Sequence, residues 1–228
     1  MAISALLVVG GVAALAIGAF ASSKPRTVVY PVRGAVEGLR LDVGDGDVLV
    51  IGGGTRETVE VQRYERFSFG HAPVVEPKVE GGVYGVRARC PSSLLAPCTV
   101  RHRLIVPDNV ALDIRATGGQ VTLRGYRGTA RILTGSGRIE ISGYCGNSLE
   151  ARAGDGDIEL EAACAPPQLS LRSGSGAIHA VLPPGRYDLD AESTSGTESV
   201  RGLTPRSDAP YSVQVLSASG DVSVEGRS

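Results

Sequence analysis

The chain has 228 residues, a formal net charge of −1, 31 glycines, no tryptophan and only 4% aromatic residues. At this near-neutral balance no strong electrostatic pull toward nucleic acid or acidic lipid is expected of the chain as a whole. A core drawn from Val, Ile, Leu and Ala suits thin, repetitive β-structure better than a bulky globular interior.

In chain order, the first element is apolar. Ala2 to Ala21 carries no charged side chain, and twenty residues at the helical rise span about 30 Å, the thickness of a bilayer core. Residues 1–21 are therefore expected to form one N-terminal transmembrane-type helix. The run Ala19-Phe20-Ala21 before Ser22-Ser23 also reads as a signal-cleavage site, which leaves secretion after cleavage as the alternative. Lys24, Arg26 and Arg33 follow the segment, and the positive-inside rule alone would place the body in the cytoplasm. The cysteines below argue for the other side. Residues 22–38 read as a tether, and 39–228 as the body.

The body repeats. A Gly-centred turn recurs at Gly44-Asp45-Gly46, Gly118-Gly119, Gly135-Ser136-Gly137, Gly154-Asp155-Gly156, Gly174-Ser175-Gly176, Ser195-Gly196 and Ser219-Gly220. Counted from the last Gly of each turn, apolar columns run on both sides. Two residues after it stand Val48, Val121, Ile139, Ile158, Ile178 and Val222; seven before it stand Leu39, Leu112, Ala130, Leu149, Leu169, Leu189 and Val213. Polar residues such as Asp42, Arg115, Arg152 and Arg172 alternate with the columns. Period-two alternation about a tight turn is strand, turn, strand. One such unit cannot bury its apolar face alone, but stacked copies can. The expected fold is all-β: a β-solenoid of two-strand repeats, roughly 19 residues per coil. Glu198 breaks the inward column, and Gly202–Pro210 is expected to bulge out.

Between the first copy and the second lies an insertion, residues 55–107, read as an inserted β-hairpin region. Thr58–Tyr64, Val83–Arg89 and Thr99–Val106 alternate as strands, whereas Phe67–Pro77 reads as a loop. Phe67, Phe69 and His71 near its tip form a possible contact loop. Packing of the same residues over the open solenoid end is the other reading.

The four cysteines test the stack. Cys145 and Cys164 each lie eight residues after the reference Gly of consecutive repeats. Neighbouring coils sit about 4.8 Å apart, within disulfide reach. Cys90 and Cys98 would close a short loop. Two bridges favour an oxidising compartment, hence a single-pass membrane protein with an extracytoplasmic C-terminal domain. Zinc is disfavoured because no C-x2-4-C knuckle is present.

The G-D-G-x-V/I turn after an alternating strand, at Gly44–Val48, Gly135–Ile139, Gly154–Ile158 and Gly174–Ile178, resembles the DUF4097 family, also named the "putative adhesin" family. The -R-C-P- near Cys90 and the strand ending Val106-Pro107 fit it too. The resemblance runs from about Leu39 to Glu225. It implies a β-strand-repeat domain, often behind a bacterial membrane segment, with no catalytic residues to carry over.

No catalytic constellation emerges. His71, His102 and His179 fall in unrelated places. The Asp45–Asp47 and Asp155–Asp157 turns offer oxygens for calcium, but Asp is ordinary in tight turns. Glu140, Glu159 and Glu161 are the carboxylates that a polysaccharide-cutting solenoid would use; solvated outer charges are the simpler account. The expected function is a non-enzymatic, adhesin-like binding or structural module of the cell envelope. It is expected to need no metal or cofactor, to meet the membrane through its N-terminal segment, and to bind an unknown protein or glycan surface ligand. A polysaccharide-active enzyme and an anchored envelope-stress sensor are the alternatives.

Overall fold

The computed structural model describes residues 23–34, 36–54, 58–68, 70–91 and 98–227. The N-terminal helix expected over residues 1–21 lies outside them. Every regular element among the described residues is a β-strand, and no helix there is long and apolar enough to cross a membrane.

The chain opens with β1 (Ser23–Arg33), where a tether was expected, followed by β2 (Gly38–Val43) and β3 (Val48–Gly52). Then come β4 (Thr58–Ser68), β5 (Val74–Glu80), β6 (Val83–Arg89) and β7 (Cys98–Val106). Four regular two-strand coils follow: β8 (Ala111–Ala116) with β9 (Val121–Arg124), β10 (Ala130–Thr134) with β11 (Ile139–Tyr144), β12 (Ser148–Ala153) with β13 (Ile158–Ala162), and β14 (Gln168–Ser173) with β15 (Ile178–Leu182). The chain closes with β16 (Arg186–Ser193), β17 (Glu198–Arg201), the two-residue β18 (Thr204–Pro205), β19 (Tyr211–Ser217) and β20 (Val222–Gly226).

These strands make two ten-stranded sheets. Sheet I runs β1-β4-β7-β3-β9-β11-β13-β15-β20-β17, and sheet II runs β18-β16-β19-β14-β12-β10-β8-β2-β6-β5. Each coil gives one strand to each sheet, and like strands pair in parallel. The repeat columns set the register: Val48 pairs with Val121, Val121 with Ile139, Ile139 with Ile158, Ile158 with Ile178 and Ile178 with Val222. On sheet II, Leu39 pairs with Leu112, and Leu112, Ala130, Leu149, Leu169 and Val213 continue in line. These side chains meet between the sheets and are nearly all sealed from solvent. Each Val, Leu or Ile buried this way contributes about 1.5–3 kcal/mol.

The turns explain the glycines. A Cβ on Gly137 would collide with the Gly119 carbonyl oxygen, one on Gly156 with Gly137, and one on Gly176 with Gly156. Stacked turns approach so closely that only hydrogen fits between them. A hydroxyl column braces the same edge. Ser173 Oγ accepts from the Gly176 N–H at 2.8 Å and donates to the Gly156 carbonyl at 2.9 Å. Ser217 does the same between Gly220 and Gly176.

Three features depart from the expected plan. The insertion is not a hairpin appendage alone. β5 and β6 do form an antiparallel hairpin through Gly81-Gly82, both at positive φ, as a two-residue turn requires. But β6 and β7 also add a coil, pairing in parallel with β2 and β3. Second, the expected loop Phe67–Pro77 is shorter, since Phe67 belongs to β4 and Val74–Pro77 to β5. Third, stacking order leaves chain order at the far end. The last coil, β19 and β20, inserts between β14/β15 and β16/β17. Glu198 is therefore on the terminal strand, where the inward column meets solvent. The segment expected to bulge supplies β18, which pairs with β16.

Candidate functional site

Both expected bridges are present, the one read from the repeat register and the one read as closing a short loop. Cys145–Cys164 joins adjacent coils with Cα atoms 4.7 Å apart, the separation that the stack imposes. Cys90–Cys98, at 5.7 Å, closes the turn between β6 and β7, where the other coils use glycine. No described cysteine is free.

Three of the four turn carboxylates, Asp47, Asp155 and Asp157, are occupied by the stack itself. Asp155 Oδ1 accepts from Ser175 Oγ at 2.7 Å, and Asp157 Oδ1 from the Ala177 N–H at 3.0 Å. Arg138 bonds the other oxygen of Asp157 at 3.0 Å. Asp47 Oδ1 accepts from the Gln120 N–H at 3.2 Å. Among the described residues no group of three or more His, Cys, Asp or Glu is arranged to hold a metal ion.

Glu140, Glu159 and Glu161 do come together. They line an open depression on the outer face of sheet I with His179 and Arg227, and Glu140 pairs in register with Glu159. Arg138 holds Glu159 at 3.2 Å and Arg227 holds Glu161 at 2.7 Å. They stand side by side on adjacent parallel strands of one solvated wall, not opposed across a cleft. On the outer face of sheet II, carboxylates are each held between two arginines. Asp113 is flanked by Arg40 and Arg115, each at 3.3 Å, and Glu150 by Arg131 at 3.2 Å and Arg152 at 2.6 Å. Exposed pairs of this kind add little stability.

The expected contact loop is divided. Phe67 is half-buried near the end of β4, with the Arg26 guanidinium 5.6 Å from its ring centroid. His71 donates its backbone N–H to the Ser68 carbonyl. Phe69 lies outside the described residues.

The polar centre that sequence reasoning missed lies inside the end cap. His102 occupies the inward column, paired with Val48, and is only 2% exposed. Neither of its ring nitrogens has a hydrogen-bond partner. Arg63 lies across from it in the antiparallel register. Glu65, fully enclosed, accepts from Arg63 Nε and from Arg26 Nε, each at 2.6 Å. Burial, reinforced by the Arg63 charge, lowers the His102 pKa to about 4. The signal was available: His102, Leu104 and Val106 repeat the spacing of Val48, Val50 and Gly52, but the disulfide loop stretches the turn and hides the copy. Nearby, the Tyr30 and Tyr84 hydroxyls meet at 2.7 Å, closing the cap across the two sheets.

A family model described as Toastrack DUF4097 matches residues 108–225. No curated protein matches the sequence. Among solved structures, a "putative cell adhesion protein" from Clostridium sporogenes ATCC 15579 is 14% identical, with a TM-score of 0.51 over 90% of this chain and 100% of that one. A "putative adhesin" from Bacteroides fragilis NCTC 9343 is 13% identical, with a TM-score of 0.46 over 90% and 97% of the two chains. The first of these likenesses shows a shared fold.

Proposed function

Because the chain belongs to the Toastrack DUF4097 family, we propose that it is a non-catalytic, adhesin-like binding or structural module, held by its apolar N-terminal segment on the outer side of the cell membrane. The observation that carries this reading is the pair of disulfides. Bridges of this structural kind persist in oxidising compartments, whereas cytosolic thiols are kept reduced. Both sit where they lock the stack: one ties adjacent coils, the other closes the first coil under the cap. The walls agree with display, since Asp113, Glu150, Glu159 and Glu161 are held in ion pairs along open strands.

The test is thiol mapping on intact cells. Acid-quenched cells should yield protein whose thiols are all oxidised, and non-reducing peptide maps should return Cys90–Cys98 and Cys145–Cys164. A membrane-impermeant reductant added to whole cells should expose all of them to an impermeant maleimide. Free thiols in the quenched cells, or labelling only after lysis, would overturn the location. Polysaccharide cleavage by the purified protein that is lost in Glu159→Gln would overturn the non-catalytic reading.

A further inference from the structure

The two ends of the solenoid are chemically different. We propose that the N-terminal end, formed by β1, β4 and β5, is a docking surface for the headgroup layer of an anionic lipid bilayer, so that the solenoid stands end-on with its far end outward. This orientation rests on the anchored reading above.

Three independent observations meet at that end. The first is apolar exposure. Of the five large hydrophobic side chains exposed among the described residues, Val29, Tyr64, Val74 and Val79 belong to β1, β4 and β5; Val29 and Val79 are 66% and 64% exposed. Valines left open on the edge strands β1 and β5, with a tyrosine on the adjoining β4, suit an interface where the apolar body is buried and the hydroxyl stays wet.

The second is charge. β1, β4 and β5 carry six basic side chains against four acidic ones, and the β6/β7 coil beneath them adds four arginines and no carboxylate, although the whole chain is at −1. Arg66, Arg101 and Arg103 have no carboxylate among the described residues within ion-pair reach, unlike the arginines of the neighbouring sheet II wall. The opposite end has the reverse balance: β16, β17 and β18 hold two basic side chains against four acidic ones. An anionic leaflet attracts the first end and repels the second.

The third is connectivity. β1 is the edge strand of sheet I at this end, and it begins at Ser23, two residues after the uncharged run that ends at Ala21. If that run is in the bilayer, no slack separates it from β1, and this end cannot be far from the surface. Nine strand intervals at about 4.8 Å each put the opposite end roughly 40 Å away.

The experiment uses the full chain reconstituted in vesicles of phosphatidylcholine, with and without phosphatidylglycerol. Single labelled variants, Val79→Cys at the near end and Thr204→Cys at the far end, report quenching by headgroup-labelled lipid, and flotation reports anchoring. Strong quenching at position 79 and none at 204 is expected, with the contrast greatest in phosphatidylglycerol. Replacing Arg66, Arg101 and Arg103 by Gln should weaken docking by about fivefold per arginine, leaving flotation intact. Intact flotation with equal or absent quenching at both positions overturns the orientation alone. Loss of flotation overturns the anchored reading and the orientation with it. A doubled particle mass with position 79 shielded from lipid assigns the end to a second copy instead and also overturns the proposal.

Discussion

At the scale of single residues, the fold depends most on what is missing from its turns. Gly137 is enclosed by the preceding turn, and a methyl group there would push into the Gly119 carbonyl. Relief requires the two coils to separate, which breaks the parallel ladder on both sides. Gly137→Ala is therefore expected to cost about 2–4 kcal/mol. Gly44→Ala is the matched control, because its nearest neighbour would be the Ala88 oxygen at an ordinary 3.9 Å. Urea denaturation of both should show a lowered midpoint for the first and little change for the second; equal midpoints would mean that the turns tolerate a wider stack. The recurrence of these glycines was plain in the sequence. Their reason was not, since Gly in a tight turn ordinarily signals backbone torsion, and here most of the stacked positions are needed for close approach between coils.

At the scale of elements, the cap formed by β4 and β7 holds the buried His102. Its depressed pKa means that the unfolded chain binds a proton that the folded chain refuses. Above the unfolded value, near 6.5, the imidazole is neutral in both states and the cap keeps its full stability. As pH falls from about 6.5 toward 4, stability is lost, by up to about 3 kcal/mol. The groups facing it are Arg63 from β4, with Glu65 and Arg26 behind, and the Tyr84 hydroxyl from sheet II, which lies within reach of the Arg63 charge. His102→Val restores the residue type of the column, so it should flatten thermal stability between pH 7 and 4.5 without lowering it at pH 7. A variant with the same acid-side loss as the parent would assign that loss to other groups. Sequence reasoning identified the coils from β8 to β15, and the copies at β2/β3 and β19/β20, because their turns share one length and their columns keep their residue type. It failed where those regularities lapse: β1 was read as a tether because two prolines interrupt its alternation, and the β6/β7 coil as an appendage because a disulfide loop replaces its glycine turn. The charged walls were legible as polar alternation. The enclosed Arg63–Glu65 pair, which Arg26 reaches from the surface, was not, because charged residues at strand positions ordinarily face water.

At the scale of the whole molecule, the reordering of the last coils matters most. A stack in chain order could be trimmed from its end at the cost of one interface. Here the final strands lie inside, between β14/β15 and β16/β17. Removing residues after Pro210 would leave β16 and β17 facing a gap rather than a neighbour. Hydrogen exchange of that truncated chain should show β16, β17 and β18 unprotected while β8 to β13 stay protected; retained protection of β16 would mean that it can re-pair with β14 directly. The same reordering bears on synthesis. A ribosome releases β16 and β17 before β19 and β20 exist, so the growing chain must hold its outermost layer open until the tail arrives to wedge it shut. The molecule is completed from within, like an arch whose keystone is cut last.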